Sequence, residues 1–425
     1  TLLDEESLRS FREKLLGEVW DAEAARWRDW LVRLCEILQR SSRFFRRSID
    51  RVSEDHPEYL LQFGDLKKLD RTAKGILADV LRTPLPEQQK TELGAYYDLQ
   101  FLRIGLATLQ GMPLSQLDAE FTEVADYFLE ILFDICKAEV DATRGRRMMT
   151  HDRLALFVAG GHARERAHQD DYDLVVLLDS DSEEMHRYSN EIMTRLNREI
   201  SRRGIMPQYH LADRFGSYVT RFSELEEFLR GEGRISYVDM SQLLGARQIV
   251  GSSRIEEEFH RRIIRGCVYE NREIYIASVI GEIQSRRHFM SEQCKGPEFD
   301  IKECRGGLRD LEMSMLLWKV VHEIREPIGG RFWDVLAEKN PGQRWEFKEL
   351  QESFQFLNRL RDVYRLSVAP VNMLNPAYLD RPGELLGYRA SEGVSAGEKL
   401  YRDYRKHCTR VADRLDELVE TVLKF

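Results

Sequence analysis

Two acids spaced two apart, Asp171 and Asp173, stand at the head of the apolar run YDLVVLLDSD (172–181). An extended strand repeats every two residues, so both carboxylates share one face. Paired hard oxygen ligands suit Mg²⁺, which takes one or two carboxylates together with oxygens of a bound triphosphate. Upstream, the run LALFVAGG (154–161) ends in Gly160 and Gly161. Glycines after a strand let the backbone turn sharply and bring N–H groups to a phosphate, and a helix starting there adds its dipole. Alone, a Gly-Gly pair is an ordinary turn and a D-x-D an ordinary solvated strand end. Their order says more: strand, Gly-Gly, a charged spacer holding Arg164 and Glu165, then D-x-D leading into a Val/Leu strand. That order points to metal-assisted, in-line transfer of a nucleotidyl group, in which bound cations stabilise the attacking and leaving oxygens.

Positioning these residues takes a compact α/β unit. The second strand is followed by the helix-like EEMHRYSNEIMTRLNREISRRG and by a third extended candidate, IMPQYHLAD (205–213). Before this unit, WRDWLVRLCEILQRSSRFF and FTEVADYFLEILFDICKAEV carry apolar residues at helical spacing, with RTPLPEQQK (82–90) and QGMPLSQLD (110–118) read as loops. From residue 222 helical periodicity returns, through SELEEFLRG, DMSQLLGARQIV and IEEEFHRRIIRGCVYENREIYIASVIGEIQSRRHFM, with NPGQRW and APVNMLNPAYLDRPGELLGY as interhelical loops or caps. The expected fold is α+β and mostly helical. A small mixed-sheet domain at 146–255 lies between an N-terminal helical domain, 1–145, and a C-terminal helical domain, 256–425.

Composition limits the function classes. The chain has 425 residues, more than one core usually organises, and is 42% hydrophobic and 32% charged, as a globular protein rich in solvated helices would be. It contains no run of about 18 apolar residues, so no membrane helix is expected. The acidic N-terminus lacks the basic-then-apolar pattern of a signal peptide. A net charge of −9 argues against nucleic acid as the main partner, because phosphate neutralisation wants a basic face. The local arginine run RSSRFFRRSIDR (40–51) reads as a solvated helix face or, alternatively, as a basic anion-attracting patch. Cys35, Cys136, Cys267, Cys294, Cys304 and Cys408 lack zinc-like spacing and read as reduced thiols of a cytoplasmic protein.

The Gly-Gly/D-x-D unit resembles the nucleotidyltransferases of the DNA polymerase beta-like superfamily. The segment FDIKECRGGLRDLEMSMLLWKV (299–320) narrows the resemblance. Its Lys302, Glu303, Gly306, Gly307, Leu308, Arg309 and Asp310 match the K-E-x-x-G-G-L-R-D signature of PII uridylyltransferase/uridylyl-removing enzymes. LLGARQIVGS (243–252) is similar to that family's L-L-D-A-R-L-L-A-G stretch, and FLNRLRDVYRLSV, RPGELLGY and KLYRDYRKHCTRVADRL to the helices that follow. The resemblance covers residues 145–425. Glutamine synthetase adenylyltransferases carry a related G-G-I-R-E element, so adenylyl transfer is an open alternative.

The resemblance implies transfer of UMP from UTP to a tyrosine of a PII-type signalling protein, with release of pyrophosphate and with Mg²⁺ or Mn²⁺ as cofactor. It implies that Gly160 and Gly161 position the triphosphate and that Asp171 and Asp173 hold the metals. A third carboxylate from a neighbouring strand would activate the attacking hydroxyl; Asp213 is the candidate, and His210 on the same strand reads as a packed or surface histidine. Arg164 either pairs with Glu165 or touches phosphate. Lys302 and Arg309 either neutralise triphosphate charge or, with Asp310, form a buried bracing network. Three departures bear on activity. The Arg164–Asp171 loop is one residue shorter than the family pattern. His168 or Gln169 stands for its proline and Asp170 for a small residue. Gly245 replaces the aspartate of L-L-D-A-R. They leave open a regulatory protein with this fold and weakened catalysis. No metal-binding His-Asp pair of the hydrolase type is visible, so uridylyl removal is not expected of these residues.

Overall fold

The computed structural model describes residues 43–422, apart from 57–58, 60–61, 63–64, 164–170, 232–236, 294–297 and 329–330. In chain order the helices and strands that matter are α1 (Arg43–Asp55), α2 (Leu66–Val80), α3 (Pro86–Leu109), α4 (Leu114–Arg144), β1 (Leu154–Val158), α5 (Gly160–Ala163), β2 (Asp171–Leu178), α6 (Glu183–Arg202) and β3 (Met206–Gln208). There follow α7 (Ala212–Phe215), β4 (Thr220–Arg221), α8 (Phe222–Arg230), α9 (Tyr237–Gly245), β5 (Arg247–Val250), α10 (Ser253–Glu258) and a π-helix over Phe259–Tyr269. The remainder is mainly helical, with α11 (Arg272–Gln293), α12 (Leu308–Val321), α13 (Phe332–Lys339), α14 (Arg344–Ser367), α15 (Asp380–Leu385) and α16 (Ala396–Val422), and with two-residue strands at Phe299–Asp300 and Met373–Leu374. The mostly helical α+β fold expected from the sequence is therefore present.

The described residues form two compact units, one within 1–117 and 359–403, the other within 118–358 and 404–425. In the first, α3 packs on α1 and α2. Asp65 caps α2 by accepting from the Lys67 and Lys68 N–H groups, and Arg51 of α1 donates two hydrogen bonds to Asp98 of α3, at 2.6 and 2.8 Å. The whole α/β stretch lies in the second unit.

Its sheet runs β3-β2-β1-β5, with β4 also paired to β2. β1 is antiparallel to both β2 and β5, whereas β3 and β4 are parallel to β2, so the sheet is mixed. All five residues of β1 are buried, as are Leu174 to Leu178 of β2. Each such Val or Leu contributes roughly 1.5–3 kcal/mol on burial. This anchors the C-terminal part of β2 in the core and leaves its first residues, the two acids, at the rim. Helix α6 starts where Ser182 accepts the Met185 N–H, with Glu183 and Glu184 in the first turn. Its Tyr188, Ile192, Met193, Leu196 and Ile200 form the buried stripe that packs this helix inward.

Several local expectations are corrected. The third extended segment is a strand only over Met206–Gln208; the Asp213 N–H donates to the Tyr209 carbonyl, and this turn starts α7. The ARQIV end of a stretch read as helical is β5, drawn into the sheet by pairing with β1. Pro86 and Leu114 already belong to helices, so RTPLPEQQK and QGMPLSQLD are loops only in part; a proline at the first helical position loses no hydrogen bond. NPGQRW likewise holds a short 3₁₀ turn, Pro341–Gln343, that leads into α14. Among the described residues no helix is long and apolar enough to cross a membrane. Cys136, Cys267, Cys304 and Cys408 are buried free thiols.

Candidate active site

Strand β2 sets out the acids as its period requires: Asp171 and Asp173 are half-buried on one face, and Tyr172 between them is fully buried on the other. Gly160 meets Asp173 at the end of β1. The Ala159 N–H donates to the Asp173 carbonyl at 2.8 Å, and the chain then turns at Gly160 with φ +57°. A Cβ on Gly160 would overlap Asp173 Oδ2 and lie 2.7 Å from its Cγ. The position thus demands glycine twice, for its left-handed backbone and for the carboxylate lying against it. Gly161 is the second residue of the short helix α5 that follows. Arg164, Glu165, His168, Gln169 and Asp170 lie outside the described residues.

The other oxygen of Asp173 faces a group that sequence reasoning placed elsewhere. His210 Nε2 donates to Asp173 Oδ1 at 3.1 Å. His210 was expected as a packed or surface histidine, but the strand ends at Gln208 and the chain then brings the imidazole onto the carboxylate. The hydrogen bond to Asp173 raises the imidazole pKa; burial opposes this, and the charges of Asp173, Asp213 and Asp239 reinforce it. A periodicity argument could not reveal the contact, because it crosses from the loop after one strand to the next strand.

Register decides what the neighbouring strand contributes. Asp171 pairs with Met206 and Asp173 with Gln208. The strand beside the two acids therefore aligns a thioether and an amide with them. Asp213 sits instead on α7, exposed, within electrostatic reach of His210. Next to it, Arg214 bonds the buried Asp239 of α9 at 2.7 Å. Among the described residues no cluster of three or more His, Cys, Asp or Glu side chains is arranged to hold a metal by itself. Two adjacent carboxylates at a strand rim do fit a Mg²⁺ whose shell is completed by triphosphate oxygens.

The Lys302–Asp310 segment is a tight, self-bonded turn. Asp300 accepts the N–H groups of Lys302 and Glu303, and Asp310 accepts the Gly306 N–H at 2.6 Å. Gly306, at φ +74°, leaves no room for a side chain, since a Cβ there would lie 2.8 Å from the Cys408 Cα and overlap its carbonyl. Arg309 is held between Glu303 at 3.2 Å and the fully buried Glu312 at 2.9 Å. Burial would raise the Glu303 carboxyl, but the Arg309 and Arg286 guanidiniums outweigh it and hold the group below the usual carboxylate range. Lys302 is half-buried beside Glu303. α12, which begins at Leu308, packs on α9, and α9 packs on α5 and β2. The two motifs are thus separated by a single helix.

Comparison with known proteins bears on the second motif directly. Residues 276–419 match the family model described as GlnD PII-uridylyltransferase, a stretch that contains Lys302, Arg309 and Asp310 and lies downstream of β1 and β2. The chain is 29% identical over 278 residues to a bifunctional uridylyltransferase/uridylyl-removing enzyme of Burkholderia orbicola, and 28% identical over the same length to one of Burkholderia vietnamiensis. A protein so named from Pseudomonas savastanoi is 24% identical over 269 residues. The matched part is 63–64% of this chain and 28–29% of each of these relatives. The signature at Lys302–Asp310 lies inside the matched stretch, so residues 276–419 are similar to the PII-uridylyltransferase family, and the chain spans less than a third of the length of the relatives it matches.

Proposed function

We propose that the chain is a nucleotidyltransferase that moves UMP from UTP to a tyrosine hydroxyl of a PII-type protein and releases pyrophosphate. The observation that carries this reading is the juxtaposition of Gly160 with Asp173 on the strand that also bears Asp171. In this reading Asp171 and Asp173 hold Mg²⁺ or Mn²⁺, which supplies charge neutralisation at the triphosphate when bound. Gly160 and Gly161 bring backbone N–H groups toward the phosphates, and Arg164 is a further candidate contact to phosphate. Asp173 orients the His210 imidazole, Asp213 is the candidate to take the proton of the attacking hydroxyl, and Lys302 and Arg309 add positive charge behind α9. The family likeness favours UTP; adenylyl transfer is the alternative donor chemistry.

A second reading has its own support. The strand beside the acids offers Met206 and Gln208 where a third carboxylate is expected, and an imidazole already engages Asp173. A regulatory protein with weakened catalysis fits that pattern. One experiment separates the two. Pyrophosphate release is measured with each of the four nucleoside triphosphates and Mg²⁺ or Mn²⁺, with and without a PII-type protein. Release that needs UTP and the acceptor, and that disappears in a folded Asp171→Asn variant, supports the enzyme. Nucleotide binding without release supports the regulatory reading, and no binding at millimolar nucleotide removes both.

A further inference from the structure

Beside the carboxylate rim lies a groove whose walls include two residues of the proposed reaction, His210 and Asp213, and whose occupant that reaction leaves unassigned. It occupies about 1080 Å³ between α6, β3 and the loop that runs from Tyr209 to Tyr218. Its walls include Arg187, Asn190 and Thr194 from α6, and Tyr209, His210 and Tyr218 from the other side. The volume is at the upper end of the roughly 300–1,000 Å³ of small-molecule sites, room enough for a short length of polypeptide. Two features mark it as more than a surface dip. The Tyr209 hydroxyl is buried without a hydrogen-bond partner, although its ring packs on Tyr218 with centroids 4.9 Å apart. A buried hydroxyl left so is costly unless something else completes it. The groove also runs along β3, the end strand of the sheet, where an extended segment meets backbone as well as side chains.

Its position relative to Asp173 fixes what it would hold. Gly160 lies against Oδ2 of that carboxylate and His210 bonds Oδ1, so the two groups flank it from different sides. In-line displacement puts the attacking oxygen opposite the leaving one. With the pyrophosphate held on the Gly160 side, as the proposed reaction has it, the His210 side is the one left open to the attacking hydroxyl, and His210 is also a wall of the groove. We propose that this groove receives an extended, hydroxyl-bearing segment of the acceptor protein, with His210 at the point where that segment meets the carboxylates. The inference rests on the nucleotidyltransferase reading and deepens it, since it assigns the acceptor's path.

Thr194 and Arg187 are exposed positions on α6, so Thr194→Arg and Arg187→Glu obstruct or recharge the groove while leaving the fold intact. The test is steady-state UMP transfer to a purified PII-type protein, with UTP affinity measured separately on the same proteins. The expected result is an acceptor KM raised at least about tenfold, with kcat and the UTP Kd within about twofold of the parent chain. An unchanged acceptor KM beside normal transfer overturns the groove and leaves the enzyme reading standing. A weakened UTP Kd with an unchanged acceptor KM shows that the groove holds the nucleoside, and also overturns the proposal. If the parent chain binds UTP but transfers nothing, or binds no UTP, the enzyme reading fails and the groove assignment falls with it.

Discussion

Replacing Gly160 by alanine tests whether Asp173 is held where it is by the turn below it. Alanine at φ +57° costs about 1–2 kcal/mol on its own. The added Cβ would also lie 2.7 Å from Asp173 Cγ, and the backbones cannot simply part, because the Ala159 N–H is bonded to the Asp173 carbonyl at 2.8 Å. The carboxylate must swing away and give up the hydrogen bond from His210, a charged bond worth about 1.5–3 kcal/mol. Gly160→Ala should therefore destabilise the chain by about 2.5–5 kcal/mol. In an Asp173→Ala background the carboxylate is gone, and the nearest remaining Asp173 atom to the new methyl, its Cβ, is 3.2 Å away. Only the backbone strain should then remain. Urea unfolding of the four proteins gives the coupling directly, expected at about 1.5–3 kcal/mol. Equal costs of Gly160→Ala in the two backgrounds, to within about 0.5 kcal/mol, would refute the idea that the turn and the carboxylate constrain each other. Turnover of the single variant should fall about 100-fold, as expected when a reacting group is displaced by about 1 Å.

Other variants probe the surrounding residues. Asp213→Asn should lower kcat about 100-fold, the lower end of general-base contributions, and near-normal turnover would confine Asp213 to the groove wall. Arg309→Ala should destabilise the second unit by about 1.5–3 kcal/mol, because the guanidinium serves both Glu303 and the buried Glu312. A large loss of UTP affinity with unchanged stability would instead give Arg309 a direct role at phosphate. Lys319 is buried, donates to the carbonyls of Arg325 and Glu326, and is pushed down by burial from 10.5 to about 8. Between those values the unfolded chain binds the proton and the folded chain does not, so stability conferred through Lys319 should rise as pH increases from 8 to 10.5. The parent-minus-Lys319→Met difference in unfolding free energy should grow by up to about 3 kcal/mol over that window, and a flat difference would exclude the lowered Lys319 pKa.

How much of this the sequence discloses depends on the range of the interaction. β1, the Gly160 turn, β2 and α6 follow from local patterns: an unbroken apolar run, glycines, alternation at Asp171–Asp173 and a helical stripe with Ser182 as its cap. Features set by pairing were not legible. Arg247–Val250 looks like the tail of a helix until β1 supplies its hydrogen bonds. The π-helix over Phe259–Tyr269 has the apolar spacing of an ordinary helix and differs only in which carbonyl each N–H reaches. The His210–Asp173 contact spans 37 positions, and the Gln208–Asp173 register exists only once the sheet has formed. Asp213 reads as the end of the third extended candidate, yet the Asp213 N–H bonds to the Tyr209 carbonyl and starts a helix.

Helix α9 packs on elements that carry both motifs, which lie far apart in the chain. Their nearest residues, Asp173 and Lys302, are separated by most of the α/β stretch and by α11, and the family match includes only the later motif. Yet α9 packs on α5 and β2 on one side and on α11 and α12 on the other. Its buried Asp239 holds Arg214, in the same short helix as Asp213, and adds to the negative charge felt by His210. The turn at Gly306 is in turn fixed against α16 by the Cys408 carbonyl, and Arg287 of α11 and Arg305 both bond Asp416 of α16. On this packing, a change in the Lys302–Asp310 turn should reach the carboxylates through α9, without any side chain of that turn having to touch nucleotide. On this argument the signature at 302–310 acts first as the support that sets α9, and its cations act on phosphate only to the extent that Glu303 and Glu312 leave their charge uncompensated.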